Sequence, residues 1–193
     1  MENSFIDKNT INLDKSAIDS IYYELNKELR RKFRGMSKDY RADLYVVGGA
    51  NIVTSLHTRQ ATLDIDAMWT IGADMRDCIN KVSDRLGLSH EVINCNFKTT
   101  KSYTNAIITN SSVYKIFDRL VVRNVNPDLL LCMKLVAFRA AKVQDTLDAN
   151  DIIVRLRNLG YIVTTETICQ SVVKYYGSLE VLSKEAKLFI GLR

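Results

Sequence analysis

The stretch from Leu44 to Trp69, LYVVGGANIVTSLHTRQATLDIDAMW, constrains the chain more than any other. Leu44-Tyr45-Val46-Val47 is short, apolar and rich in β-formers, and reads as a buried strand. Gly48-Gly49 follows at once. Glycine adopts backbone geometry that other residues resist and leaves its amides open to an approaching anion. Asn51 to His57 predicts about two helical turns whose positive N-terminal end sits at that glycine pair. The segment after it alternates: Thr62, Asp64 and Asp66 fall on one strand face, and Leu63, Ile65 and Ala67 on the other. Two carboxylates on one strand face lie roughly 7 Å apart at the backbone. Unpaired, they repel and raise a pKa, a conflict that a divalent cation removes. Mg²⁺ is held by one or two carboxylates plus phosphate oxygens, so the pair suits a metal–nucleotide complex.

The rest of the chain surrounds this unit with helices and short strands. Asp14 or Ser16 caps a helix to about Phe33, with Ile18, Ile21, Tyr22, Leu25 and Leu29 as its apolar stripe and Gly35 as a stop. The basic run Arg30 to Arg34, continued by Lys38 and Arg41, has two readings. It is a phosphate-contacting patch, or a solvated helix end whose cations complement the dipole. Ala73–Leu86 predicts a helix ended by Gly87, and Glu91–Phe97 a strand. Asn105–Thr109 and Val113–Val122 predict further strands around a turn at Asn110-Ser111-Ser112.

Asn126-Pro127-Asp128 starts a helix that should run through Arg139. Lys134 and Arg139 lie five residues apart, and their long side chains can still converge on one phosphate chain. Lys134 either faces that phosphate chain or snorkels out of an apolar helix. Asp145, Asp148 and Asp151, at i, i+3 and i+6 on the next helix, make an acidic ridge. They could equally be first-turn acids that favour the dipole. Helices over Thr164–Tyr176 and Leu179–Leu192 read as packing.

Composition narrows the setting. At 193 residues, 47% hydrophobic and 25% charged, the chain suits one soluble globular domain or one domain with a helical appendage. The expected division is an α/β core with its N-terminal helix over 1–125 and a helical part over 126–193. No apolar run reaches the ~20 residues of a membrane span. The opening MENSFIDKNTINLDKS lacks the basic-then-apolar layout of a signal peptide. A cytoplasmic protein without membrane contact is expected. Cys78, Cys95, Cys132 and Cys169 are scattered and read as reduced thiols, and the lone His57 and His90 offer no zinc spacing. A net charge of +5 permits an anionic partner.

A strand, Gly-Gly, a short helix and T-x-D-I-D together resemble the nucleotidyltransferase superfamily of the DNA polymerase β type. Within it the details are similar to the minimal nucleotidyltransferases of the AbiEii/AbiGii toxin group. Those pair a G-G-x-A-L start with D-I-D and later carry K-x-x-x-x-R and D-x-x-D-I. Here the matching residues are Gly48-Gly49-Ala50-Asn51-Ile52, Thr62-Leu63-Asp64-Ile65-Asp66, Lys134 with Arg139, and Asp148 with Asp151-Ile152. Two positions depart: Asn51 stands where the family has a small residue, and Arg59 lies further from Thr62 than the family's arginine does.

The resemblance implies an α+β fold, a small mixed sheet of polymerase β type with flanking helices and a helical C-terminal part. It implies transfer of a nucleoside monophosphate from an NTP to an acceptor hydroxyl, with Asp64 and Asp66 holding Mg²⁺ or Mn²⁺. Gly48, Gly49, Asn51, Thr62 and Arg139 would bind the nucleotide, Lys134 would act on the leaving group, and Asp148 and Asp151 would order the Lys134/Arg139 pair. Asp118 is the best-placed candidate for a third acid on a later strand. A tRNA end as acceptor and a cognate antitoxin as partner follow from the toxin group. A small-molecule nucleotidyltransferase of antibiotic-resistance type and a non-catalytic binding module are the competing readings.

Overall fold

The computed structural model describes residues 12–37 and 39–192. A two-residue strand, β1 (Leu13–Asp14), leads into α1 (Lys15–Lys32), which Asp14 caps by accepting from the Ala17 amide at 2.8 Å. β2 (Ala42–Val46) runs to the glycine pair, where α2 (Gly48–Asn51) continues as one π turn over Ile52–Leu56 and closes on His57 at φ 58°. Thr54 and Ser55 hydroxyls in that turn donate back to the carbonyls of Ala50 and Asn51, each at 2.7 Å. β3 (Ala61–Thr62), β4 (Ile65–Trp69), α3 (Gly72–Leu86), β5 (Ile93–Asn94) and α4 (Ala106–Thr109) follow. The β6 (Ser111–Ile116) and β7 (Leu120–Val125) hairpin leads to the closing helices α5 (Pro127–Val136), α6 (Val143–Asn158), α7 (Thr165–Tyr176) and α8 (Lys184–Phe189).

Among the described residues the fold is α+β, with eight α-helices and a mixed five-stranded sheet in the order β5-β4-β2-β7-β6. β2 pairs parallel with β7 and antiparallel with β4, which in turn pairs parallel with β5. β1 and β3 form a separate antiparallel pair. Among the described residues no helix is long and apolar enough to cross a membrane.

Strand alternation sorts the side chains into two cores, one on each face of the sheet. Ala42, Leu44 and Val46 of β2, Ile65 and Ala67 of β4, and Leu120 and Val122 of β7 pack beneath α1 and α3. Tyr45 of β2, Met68 of β4 and Val125 of β7 point the other way, into a core built with α5, α6, α7 and α8. Helices therefore cover both faces rather than one. Because Ile65 and Ala67 face α1 and α3, Asp66 must face the C-terminal helices.

Several expected elements differ. Glu91–Phe97 pairs only at Ile93–Asn94, because the Asn94 side chain accepts from the Asn96 amide at 3.0 Å and turns the chain into a 3₁₀ helix over Asn96–Thr99. Asn105–Thr109 is a helical turn, ended by Asn110, whose side chain donates to the Ala106 carbonyl at 2.9 Å. The hairpin turn lies at Phe117–Arg119 rather than at 110–112, where Asn110 ends α4 and Ser111 begins β6. α5 stops at Val136, so Arg139 sits in a loop. The last predicted helix divides into a 3₁₀ turn over Leu179–Val181 and α8.

Candidate active site

Both glycines are required by close approach. Gly48 sits at φ +62°, and a Cβ there would lie 2.8 Å from Asp66 Oδ2. A Cβ on Gly49 would collide with Thr62 Oγ1 and lie 3.0 Å from Arg59 Nη1. The β2–α2 turn is thus pressed against β3 and β4, but the expected continuous strand is broken. A bend at Leu63 separates β3 from β4, so Asp66 stands on β4 while Asp64 lies just before it and Leu63 is exposed instead of facing the core. A 2.9 Å hydrogen bond from the Val47 amide to the Asp66 carbonyl holds the two segments together.

The carboxylates repel as their spacing predicts. Burial first, and the charge of Asp64 second, push the Asp66 carboxyl from 3.8 up to about 6. Lys134 and the Asn94 amide pull the other way. Asn94 stands opposite Asp66 in the parallel β4–β5 ladder, and its Nδ2 donates to Asp64 Oδ2 at 3.3 Å. A neutral amide therefore touches the carboxylate pair from the neighbouring strand.

Cations join the carboxylates. Lys134 Nζ lies 2.6 Å from Asp148 Oδ2, and Asp148, only 1% exposed, also accepts from Gln144 at 2.6 Å. Arg59 anchors its Nε on the Ala61 carbonyl at 2.7 Å and brings Nη1 within 3.6 Å of the same Asp148 oxygen. Arg139 Nε pairs with Asp145 Oδ2 at 2.9 Å. Together they surround a cavity of about 810 Å³, whose lining includes Gly48, Gly49, Thr62, Asp64, Asp66, Lys134, Arg139 and Asp148. Phe97, Leu130 and Met133 add apolar surface to its lining, and Asn96, Thr100 and Ser102 add polar surface.

Three predicted residues fall elsewhere. Asp118 lies in the β6–β7 turn, two-thirds exposed and 3.4 Å from Arg30 Nε, at the end of the sheet opposite Gly48. It is not a third acid of this site. Asn51 is fully buried and donates to the carbonyls of Val46 (3.3 Å) and Val125 (2.9 Å), so it braces β2 against β7 instead of facing the cavity. Asp151 is not in the cavity lining, whereas Asp145, six residues earlier on α6, is. Asn94 and Gln144 carry no signal in the sequence, and Arg59 enters there only as a departure from the position of the family's arginine. Lys38 lies outside the described residues.

Among the described residues no three His, Cys, Asp or Glu side chains converge on a possible cation position. The Asp64/Asp66 pair supplies two hard oxygen donors, which fits Mg²⁺ when phosphate oxygens and water complete its shell. The raised Asp66 carboxyl is what an uncompensated pair produces, and a cation relieves that strain. Comparison with protein-family models, with curated proteins and with solved structures gives no match.

Proposed function

We propose that this chain is a nucleotidyltransferase with a core of the DNA polymerase β type, resembling the AbiEii/AbiGii toxin group. The observation that carries the reading is the Asp64/Asp66 pair, with Asp66 against Gly48, lining one cavity together with Lys134 and Arg59. Carboxylates and cations around one cavity suit a polyanion neutralised by a divalent cation.

The acceptor hydroxyl oxygen forms a bond to the α-phosphorus while the bond from that phosphorus to the α–β bridging oxygen breaks. Pyrophosphate leaves, and the hydroxyl proton passes to solvent. When bound by Asp64 and Asp66, Mg²⁺ or Mn²⁺ supplies Lewis-acid stabilisation of the phosphoryl oxygens. Gly48 and Gly49 let the turn's backbone close on Asp66 and Thr62, where a side chain would collide with them, and so set the carboxylate beside the turn. Lys134 and Arg59 offset the charge that develops on the departing pyrophosphate. Asp148, fixed by Gln144, holds Lys134 in place through their 2.6 Å contact. The apolar lining at Phe97 and Met133 gives the base a surface to pack on. A tRNA end as acceptor, an antitoxin as partner and a cytoplasmic location belong to the same proposal, on the resemblance alone.

One observation favours a non-catalytic binding module: Asn94 occupies the strand position beside Asp66, where an acid would complete a three-carboxylate site. Equilibrium binding of each NTP with and without Mg²⁺, to wild type and to Asp66→Asn, tests the site itself. Metal-dependent binding that disappears in a folded variant is expected. Metal-dependent binding that persists in Asp66→Asn removes this site.

A further inference from the structure

At the end of the sheet opposite the carboxylates lies a second, open cleft of about 730 Å³. It is formed by the C-terminal end of α1, the Phe117–Arg119 turn and the start of β2. Lys27, Arg30, Arg31, Arg34, Arg41 and Arg119 line it, against Asp118 as its single acid. β2, running from Ala42 by this cleft to Val46 by the glycine pair, separates the two sites by roughly 15 Å at strand rise.

The charges are only partly cancelled locally. Glu24 and Glu28 offset Lys27 and Arg31. Arg30 takes the Asp118 carboxylate, while Arg41 reaches only the Asp118 carbonyl, at 3.3 Å. Arg119 spends its guanidinium on the carbonyls of Met36, Ser37 and Tyr40, which orients it without neutralising it. Arg34 and Arg41 are exposed. Among the described residues no apolar side chain lines the cleft. Protein interfaces bury an apolar centre, whereas nucleic-acid interfaces are more polar and strongly positive, and arginine matches phosphate geometry.

We propose that this cleft binds the phosphodiester backbone of a nucleic acid, at a site distinct from the Asp64/Asp66 cavity. It contacts phosphates without reading bases. The proposal goes beyond nucleotidyl transfer and stands without it, because the binding needs neither NTP nor metal.

The test is fluorescence anisotropy of a labelled single-stranded RNA, and of DNA of the same sequence, with metal chelated and salt varied. Wild type, Arg34→Ser/Arg41→Ser and a remote control, Lys184→Ser/Lys187→Ser on α8, are compared, with polyglutamate as competitor. Wild-type affinity should fall linearly in log–log salt. The cleft variant should bind roughly tenfold more weakly, with a slope shallower by about 1.4, at ~0.7 per lost single-strand phosphate contact. The remote control should stay within about twofold of wild type. Arg34→Lys/Arg41→Lys, which keeps the charge, should retain most of the binding, separating charge loss from misfolding. Equal binding of RNA and DNA identifies the shared backbone as the ligand, and a preference for one names the source. Absence of wild-type binding, an unchanged cleft variant, equal loss in the remote control, or polyglutamate competing as well as RNA overturns the proposal.

Discussion

Asn94 lies directly across the parallel β4–β5 ladder from Asp66, and its side-chain amide donates to Asp64 Oδ2 at 3.3 Å. One amide thus helps keep two close carboxylates apart in charge. Replacing it by a carboxylate should show what it does. Asn94→Asp places three acids together and is expected to cost about 1–2 kcal/mol without metal, read as a melting temperature lower by ~2–6 °C. Saturating Mn²⁺ should then raise the melting temperature more in the variant than in wild type. An equal metal-induced gain in both proteins would show that position 94 is remote from any cation.

Asp66 gives the pH dependence a definite sign. Its folded carboxyl titrates near 6 against an ordinary 3.8, so between those values the folded chain binds more protons than the unfolded one. Stability therefore falls as pH rises through that window, and the loss is complete above it. Asp66→Asn abolishes the term. With metal chelated, the variant should melt ~2–6 °C above wild type near neutral pH, with the gain shrinking as pH approaches 4. A gain of the same size at every pH would trace it to packing instead.

Lys134 and Asp148 make a pair of which one member is almost fully buried. Lys134→Met leaves that carboxylate with Gln144 and the more distant Arg59, and is expected to cost about 2–4 kcal/mol in urea unfolding. Lys134→Met/Asp148→Leu should recover most of that loss, because it removes the stranded charge. A double variant as unstable as the sum of the two single ones would contradict this coupling.

The carboxylate site was legible because its parts are close in sequence. Strand, glycine pair and period-2 alternation over Leu44–Trp69 fix which side of β4 Asp66 occupies, and the structure keeps that assignment. What failed depended on pairing between distant segments. Asp118 was placed by assuming where a later strand would run, yet the hairpin turned at 117–119 and left it at the far end of the sheet. Asn94 carries no charge to draw attention, and only the β4–β5 pairing across α3 brings it to Asp66. Asp145 is a first-turn acid of α6, and only the loop that returns Arg139 to it shows that it also lines the cavity. Asn105–Thr109 is a short apolar run whose periodicity cannot separate a strand from a helical turn.

The most direct measurement is transfer of label from each α-labelled NTP, with Mg²⁺, into total tRNA and into a small-molecule extract, for wild type beside Asp64→Asn. Nucleotidyl transfer predicts label from at least one NTP in the RNA with wild type and none with the variant. Label in neither pool from folded wild type, under conditions where it binds Mg²⁺–NTP, would contradict catalysis and leave a binding module. Label that persists in Asp64→Asn would place the chemistry outside the Asp64/Asp66 site.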